Sequence, residues 1–241
     1  MKSNYKVIAF DLDGTLTQHR TLLSEQHRHI LNQLQKKYRL VMVGAGVCDR
    51  IFRQLGEFPI DIIGNYGMQW ARYSSETCGL EMVHDFVTPC DRELCEKRVQ
   101  YLREKYSFTQ YSGDSVEFHK SGCVTFPILG TKAKIEDKLA FDPDRSKRRV
   151  FYEEVKQLFP EYNVFIGGSS SFDMAPKPYD KYHALDQYCI ENDISHDEVL
   201  YMGDDYGVGG NDESVYNSDF SFIKVDHYTQ FPELVDKYLE L

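Results

Sequence analysis

Two apolar runs, one near each end of the chain, lead directly into acidic residues. Residues 5–11 read YKVIAFD, and residues 198–202 read EVLYM before Gly203 and two aspartates. A continuous apolar run of this length is typical of a strand buried on both faces, as in a parallel sheet. Both ends of the chain are therefore expected to supply strands to one sheet, with acidic residues at its carboxyl edge.

The first part of the chain alternates strand and helix patterns. Apolar residues follow helical spacing over residues 22–38, and Ser24 is placed to cap that helix. A second apolar run follows at 39–43, then a short helix at 48–55 and a third strand at 60–63. This β-α-β-α-β order predicts an α/β fold with a Rossmann-like, doubly wound parallel sheet.

The pattern changes between residues 84 and 176. Here a long polar helix precedes short strand patterns, a further helix and two more strand patterns; these lie at residues 91–105, 115–118, 123–128, 147–158, 162–166 and 171–174. Such a meander with helices predicts an inserted α+β domain. The core domain would then consist of residues 1–83 and 177–241.

Charge and composition exclude several classes of partner. The 241 residues carry a formal charge of -10, and such an acidic surface disfavours non-specific binding to nucleic acid or anionic lipid. No apolar run approaches the roughly 20 residues of a membrane span, and no signal peptide is recognisable. The six cysteines form no C-x-x-C pair, so zinc is not indicated. We expect a soluble, cytoplasmic protein with no nucleic-acid or membrane partner.

The strongest chemical signal is the segment DLDGT at residues 11–15. It follows the first predicted strand, at the edge where open α/β sheets bind ligands. With a turn at Gly14, one of the two carboxylates could attack phosphorus as a nucleophile while the other acts as general acid and base. Two carboxylates beside a phosphate require a cation, and oxygen ligands favour magnesium. An ordinary acidic turn is the alternative for this segment taken alone.

Further charged residues are predicted at the same edge of the sheet. Asp204 follows the late strand, and Asp212 lies in the loop beyond it, so both could complete the oxygen shell of a metal ion. Lys181 precedes a predicted helix and could neutralise phosphate charge. Taken singly, the acidic loop could equally be a helix cap, and the lysine a surface residue.

These motifs together resemble those of the haloacid dehalogenase superfamily. FDLDGT at residues 10–15, the Asp180-Lys181 pair and the late GDD occur in the order that this superfamily shows. The chain resembles the capped sugar-phosphatase branch and is most similar there to eukaryotic-type phosphomannomutases. The segments that carry this likeness are VEF at 116–118, FPI at 126–128, GG at 167–168, SFD at 171–173 and GGND at 209–212.

The resemblance implies a role for each motif. Asp11 would be phosphorylated, and Asp13 would be the acid/base, with its main-chain carbonyl joining the Mg2+ shell. Lys181 would steady the phosphoryl group. Asp204 would bind Mg2+ and Asp212 would support that site. The inserted domain would be a cap in which Ser171 and Asp173 contact sugar hydroxyls, and two copies of the chain would pair through their caps.

The sequence departs from the family pattern at two places. Gly46 stands where the second motif normally has a serine or threonine, so only a backbone N–H could contact the phosphate there, and Gly46 remains a substrate-binding candidate. In the cap, His119 follows Glu117-Phe118, and residues 127–131 contain no arginine. The mutases use arginines there to hold the second phosphate of a bisphosphate intermediate. A weaker grip would let water take the phosphoryl group.

We therefore expect a Mg2+-dependent phosphomonoester hydrolase that acts on a sugar phosphate or a similar small metabolite. The alternative is a phosphomannomutase, which moves the phosphoryl group between two positions of a hexose. A third interpretation is a non-catalytic module that binds phospho-sugars, in which the change at Gly46 marks lost activity.

Overall fold

The computed structural model describes residues 5–239, which divide into two compact units. Among these residues, the first unit comprises residues 5–85, 180–207 and 212–239, and the second comprises residues 86–179 with 208–211. The main segment of the second unit thus begins two residues later and ends three residues later than the predicted range 84–176. The short segment 208–211 belongs with it because the Ile166 amide donates to the Gly209 carbonyl at 2.7 Å.

The elements are numbered in chain order. The strands are β1 (Val7–Phe10), β2 (Arg39–Val43), β3 (Asp61–Gly64), β4 (Gln69–Ser74), β5 (Gly79–Asp85), β6 (Glu117–Phe118), β7 (Val124–Pro127), β8 (Tyr162–Phe165), β9 (Ser171–Pro176), β10 (Val199–Gly203) and β11 (Ser221–Lys224). The helices are α1 (Glu25–Leu34), α2 (Cys48–Gln54), α3 (Arg92–Lys105), α4 (Ile135–Phe141), α5 (Ser146–Arg149), α6 (Tyr152–Leu158), α7 (Lys181–Asn192), α8 (Glu213–Tyr216) and α9 (Phe231–Tyr238).

The first unit contains a seven-stranded sheet in the order β11-β10-β1-β2-β3-β4-β5. The strands from β11 to β3 are parallel, and β4 and β5 add an antiparallel hairpin at one edge. The predicted parallel α/β sheet built from both chain ends is confirmed. The hairpin was not predicted, because β5 exposes Met82 and Val83 and therefore lacks the apolar pattern of a buried strand.

Both faces of this sheet are covered, as a doubly wound fold requires. All four residues of β1 are fully buried, and successive side chains enter opposite clusters. Ile8 and Phe10 pack in the cluster that contains residues of α1, α2 and α9, whereas Val7 and Ala9 pack in the cluster that contains residues of α7. No helix among residues 5–239 is both long and apolar enough to cross a membrane.

Two predicted helices have different limits in the structure. The helix predicted at 22–38 is shorter, because the Ser24 hydroxyl accepts from the His27 amide and starts α1 at Glu25. The helix predicted at 147–158 is two helices, α5 and α6. They separate at Phe151, whose φ of -120° and ψ of 13° leave the helical region.

The second unit is built on an antiparallel sheet in the order β6-β7-β9-β8. Its core combines residues of this sheet with apolar residues of α3 and α6, such as Val99 and Val155. Arg103 of α3 is also buried, and its guanidinium donates to the carbonyls of Pro127 and Ile128 at 2.8 Å each. This architecture is an α+β unit of its own, with its own core.

Candidate active site

Asp11 lies at the carboxyl end of β1, in the middle of the parallel sheet. Its amide donates to the Met202 carbonyl of β10 at 2.9 Å, which continues the ladder one residue beyond the strand. The neighbouring strand on the other side is β2. This arrangement fixes the backbone of Asp11 between two parallel strands and leaves its side chain only 8% exposed.

Lys181 is the cation that contacts Asp11. It is the first residue of α7, whose N-cap Asp180 accepts from the His183 amide at 2.7 Å. The Lys181 ammonium is fully buried, 2.6 Å from Asp11 Oδ1 and 2.8 Å from Asp212 Oδ1. Residues far apart in sequence thus meet at the carboxyl edge of the sheet.

Asp212 is held by three donors. Besides Lys181, the Tyr201 hydroxyl donates to Oδ1 at 2.6 Å and the Asp205 amide donates to Oδ2 at 3.0 Å. The carboxylate is fully buried. These contacts satisfy the charge that burial would otherwise penalise and fix the loop between β10 and α8.

Asp204 approaches the loop after β1. The Thr15 hydroxyl donates to Asp204 Oδ1 at 3.1 Å. A side chain at position 14 would not fit, because a Cβ there would lie 2.7 Å from Asp204 Oδ1. Gly14 also has a φ of +100°, a conformation that favours glycine. The glycine of the DLDGT segment therefore permits both the turn and the approach of the second carboxylate.

Crowding of negative charge raises the pKa of two of these carboxyls. Burial holds the pKa of Asp11 well above its usual range, and the negative charges of Asp212 and Asp204 raise it further. The positive charge of Lys181 offsets this rise only in part. Burial and the charges of Asp212 and Asp205 raise the pKa of Asp204 to about 6. Burial lowers the pKa of Lys181, but the negative charges of Asp11 and Asp212 outweigh it and raise the pKa overall.

A cation would relieve this repulsion, and the donor set fits one. Asp11, Asp204 and Asp212 each offer a carboxylate oxygen, and these oxygens lie within 4.8 Å of one another. An all-oxygen set of this kind suits Mg2+. The carboxylate of Asp13 is not a member of this group, so the participation of Asp13 through its main-chain carbonyl stays a prediction.

The Asp13 side chain instead contacts residues of α2 and its own loop. Asp13 Oδ1 accepts from the Arg20 amide at 2.7 Å and from Gln54 Nε2 at 2.6 Å, and Arg50 Nη1 lies 3.5 Å from Asp13 Oδ2. Sequence reasoning missed Gln54 and Arg50. The available signal was their spacing of four residues on a helix, which places both on one face.

Gly46 lies in the loop between β2 and α2 of the same unit. Its carbonyl accepts from the Asn65 amide at 2.7 Å. A Cβ at this position would lie 2.6 Å from the Arg50 Cζ, so the Arg50 guanidinium occupies the space of the missing side chain. The structure thus brings Lys181 into contact with Asp11 and Asp212, and places an Asp204 carboxylate oxygen within 4.8 Å of theirs. Asp13 and Gly46 lie in the loops that follow β1 and β2.

Ser171 and Asp173 belong to a polar cluster of the second unit. The Asp173 carboxylate accepts from the Thr125 hydroxyl at 3.1 Å and from the Ser171 hydroxyl at 3.4 Å. His119 Nε2 lies 3.0 Å from the Thr125 hydroxyl. Burial raises the pKa of Asp173. Thr125 was missed in the sequence, although an antiparallel sheet pairs it with Asp173 across β7 and β9.

The basic segment at residues 145–149 contains a buried structural arginine. Arg148 is fully buried and forms an ion pair with Asp142 at 2.8 Å. Its Nη1 also donates to the carbonyls of Gly167 at 2.6 Å and Ser171 at 2.8 Å. Arg148 therefore fixes the loop that leads into β9 and carries Ser171.

Similar proteins support the same family. A sequence model of eukaryotic phosphomannomutases matches residues 27–239. The phosphomannomutase of Saccharomyces cerevisiae is 29% identical over 94% of this chain and 90% of its own length. A probable phosphomannomutase of Caenorhabditis elegans is 25% identical over 99% of this chain and 95% of its own length.

Solved structures show the same fold at lower sequence identity. A haloacid dehalogenase-like hydrolase of Bacillus subtilis aligns with a TM-score of 0.63 over 98% of this chain and 100% of that chain, at 15% identity. An IMP-bound mutant IMP-nucleotidase of Plasmodium falciparum aligns with a TM-score of 0.71 over 97% of this chain and 68% of that chain, also at 15% identity. With both the sequence match and the fold in place, the chain belongs to the eukaryotic phosphomannomutase family and has the fold of a haloacid dehalogenase-like hydrolase.

Proposed function

We propose that this chain is a Mg2+-dependent phosphoryl-transfer enzyme that acts on a hexose phosphate through an aspartyl-phosphate on Asp11, as a mutase. The observation that carries the proposal is the arrangement around Asp11, whose buried carboxylate lies 2.6 Å from the Lys181 ammonium and beside Asp204 and Asp212. Such a site concentrates charge where a phosphoryl group would be attacked.

The chain's own residues account for each bond that changes. In the first half-reaction, an Asp11 oxygen bonds to phosphorus while the bond from phosphorus to the leaving oxygen breaks. The Asp13 carboxyl gives its proton to that oxygen. In the second half-reaction, a hydroxyl loses its proton to Asp13, attacks phosphorus and frees the Asp11 carboxylate.

Lys181 and the acidic cluster set the charge during these steps. The ammonium of Lys181 stabilises the ionised form of Asp11, which is the nucleophilic form, against the burial that raises its pKa. Asp11, Asp204 and Asp212 would hold Mg2+, which supplies positive charge to offset the phosphate and the carboxylates.

Family membership across residues 27–239 favours the mutase reaction, in which the acceptor in the second half-reaction is another hydroxyl of the sugar. We further propose that Ser171 and Asp173, with Thr125, bind sugar hydroxyls, because their linked carboxylate and hydroxyl groups can accept and donate hydrogen bonds.

Hydrolysis is the second candidate, and one observation favours it. The buried arginines of the second unit, Arg103 and Arg148, donate to protein carbonyls, so these guanidiniums serve the fold of the unit. With no arginine at residues 127–131, a bisphosphate intermediate would be held weakly and water would be the acceptor.

One assay separates the two candidates. The purified protein is incubated with Mg2+, mannose 1-phosphate and a trace of a hexose 1,6-bisphosphate, and mannose 6-phosphate and free phosphate are both measured. Mannose 6-phosphate identifies a mutase, whereas free phosphate alone identifies a hydrolase. Asp11→Asn should abolish either product, and Asp236→Asn, the same change at an exposed position of α9, should retain it. The proposal is wrong if Asp11→Asn keeps its activity.

A further inference from the structure

The side chain of Arg50 is folded over the loop that follows β2. It lies on α2, half-buried, with 38% of its side chain exposed. A Cβ on Gly46 would lie 2.6 Å from the Arg50 Cζ, which no real pair of such atoms tolerates. The guanidinium therefore stands in the volume that any larger residue at position 46 would fill.

Two polar contacts hold the guanidinium there. Arg50 Nη1 donates to Gln54 Oε1 at 2.8 Å and lies 3.5 Å from Asp13 Oδ2. Gln54 in turn donates from Nε2 to Asp13 Oδ1 at 2.6 Å, and it is buried. Arg50, Gln54 and Asp13 thus form a closed ring of contacts, which fixes the guanidinium between the loops that follow β1 and β2.

The negative charge of the acidic cluster around Asp11 favours a further cation near the loops that follow β1 and β2. Asp11, Asp204 and Asp212 cluster their carboxylates, and the Lys181 ammonium contacts two of them, Asp11 and Asp212. A phosphate group brought to Asp11 adds negative charge, and Asp13 lies two residues further along the same loop. A guanidinium has five N–H donors in a fork that matches phosphate oxygens, and the contacts above engage only its Nη1.

We propose that Arg50 is a further catalytic residue, whose guanidinium binds the phosphoryl group delivered to Asp11, and that glycine at position 46 is required to admit it. This inference rests on the proposed phosphoryl transfer at Asp11. It gives the change at Gly46 a function, because the space left by the side chain holds a stronger, charged donor.

The test measures binding of inorganic phosphate in the presence of Mg2+ by calorimetry, beside turnover. Arg50→Ala should weaken phosphate binding and lower kcat/KM by about 10- to 100-fold, the usual effect of losing a charged hydrogen bond. Arg50→Lys, which keeps the charge and loses the fork, should fall between Arg50→Ala and the unmodified chain. Arg53→Ala is the matched control, since Arg53 is an exposed arginine on the same helix.

A double variant separates this role from a general loss of charge. Gly46→Ala should displace the guanidinium, because the new methyl group would clash with the end of the flexible Arg50 side chain. Gly46→Ala and Arg50→Ala would then act through the same group. The double variant should match Arg50→Ala alone, and full additivity of the two effects would overturn the inference.

The outcomes distinguish this inference from the proposed function. If Arg50→Ala and Arg50→Lys turn over substrate as fast as the unmodified chain, the proposed role of Arg50 is rejected and the proposed function stands. Absence of turnover in the unmodified chain would reject the function, and phosphate binding that depends on Arg50 would still support an anion contact. Phosphate binding unaffected by Arg50→Ala would reject that contact as well.

Discussion

At the scale of single residues, the site is defined by one buried ammonium shared between two carboxylates. Lys181 contacts Asp11 and Asp212 at 2.6 and 2.8 Å, and its own exposure is zero. A buried ion pair of this kind gives little net stability. Removing one partner is nevertheless strongly destabilising, because the other charge is left unpaired in the protein interior. The same ammonium lowers the pKa of Asp11, although burial still holds that pKa well above its usual range.

Lys181→Met should therefore affect both activity and stability. It removes the charge and keeps the length of the side chain, so Asp11 and Asp212 would lose the ammonium that they share and the pKa of Asp11 would rise further. We expect turnover to be lost and the free energy of unfolding to fall by about 3 kcal/mol in urea. Lys36→Met, at an exposed position, is the control and should change neither. Turnover by Lys181→Met at the original rate would contradict the role of the ammonium.

The pKa of Asp204 predicts how metal binding depends on pH. Burial and the charges of Asp212 and Asp205 raise this pKa to about 6 in the metal-free protein. Because Mg2+ requires the ionised carboxylate, protons compete with it below that pH. Affinity for Mg2+ should fall by at least about tenfold per pH unit below pH 6, because Asp204 binds one competing proton there and Asp11, whose pKa is also raised, can bind another. Calorimetric titration with Mg2+ between pH 5 and 8 measures this, and equal affinities at pH 5 and 7 would refute it.

Most of the residues in the core site could be predicted from the sequence, because they directly follow buried strands or begin a helix. Asp11, Asp204 and Lys181 have such positions, and parallel strands necessarily bring their carboxyl ends to one edge. Arg50 could not be predicted in this way. The position of its guanidinium depends on how the side chain folds back over Gly46, and the spacing of residues in the sequence does not indicate this.

At the scale of elements, the sequence predicted buried strands well and exposed ones poorly. Strands β1, β2, β3 and β10 are nearly continuous apolar runs, so their pattern is unambiguous. The hairpin of β4 and β5 has charged and exposed residues along β5, and α4 has no buried residue. Such elements are specified by pairing and by neighbouring turns, which the local pattern does not show.

The loop before β9 depends on a single buried arginine. Arg148 pairs with Asp142 and donates to the carbonyls of Gly167 and Ser171. Arg148→Met should lower the free energy of unfolding by about 3–5 kcal/mol, because the buried Asp142 carboxylate would lose its ion-pair partner. Amide exchange at residues 167–171 should accelerate, whereas Arg149→Met, an exposed neighbour, should leave both unchanged. An Arg148→Met protein with unchanged stability and unchanged amide exchange would show that the loop does not depend on Arg148.

At the scale of the whole molecule, the chain builds one sheet from its two ends and a separate unit from its middle. Strand β10 pairs with β1 across the inserted segment, so the acidic cluster forms only when both ends have folded together. Each unit has its own buried core. The first limit between the units falls where strand β5 ends, at Asp85.

Pairing of two copies through their caps stays a prediction, and α4 offers a way to test it. Its residues Ile135 and Leu139 are each 54% exposed, and their spacing places both on one face of the helix. Exposed apolar residues of this kind are common in contact surfaces. Sedimentation velocity should show a dimer that Leu139→Glu converts to monomer, with Leu22→Glu, an exposed leucine of the first unit, as control. A monomer at all concentrations would exclude this pairing.

The central claim is that Asp11 carries the phosphoryl group. The direct measurement is mass spectrometry of the protein quenched in acid during incubation with Mg2+ and a hexose 1,6-bisphosphate. We predict one added phosphoryl group on the peptide that contains Asp11, sensitive to hydroxylamine and absent from Asp11→Asn. A protein that turns over the substrate without this modification, or that carries it on another residue, would contradict the account.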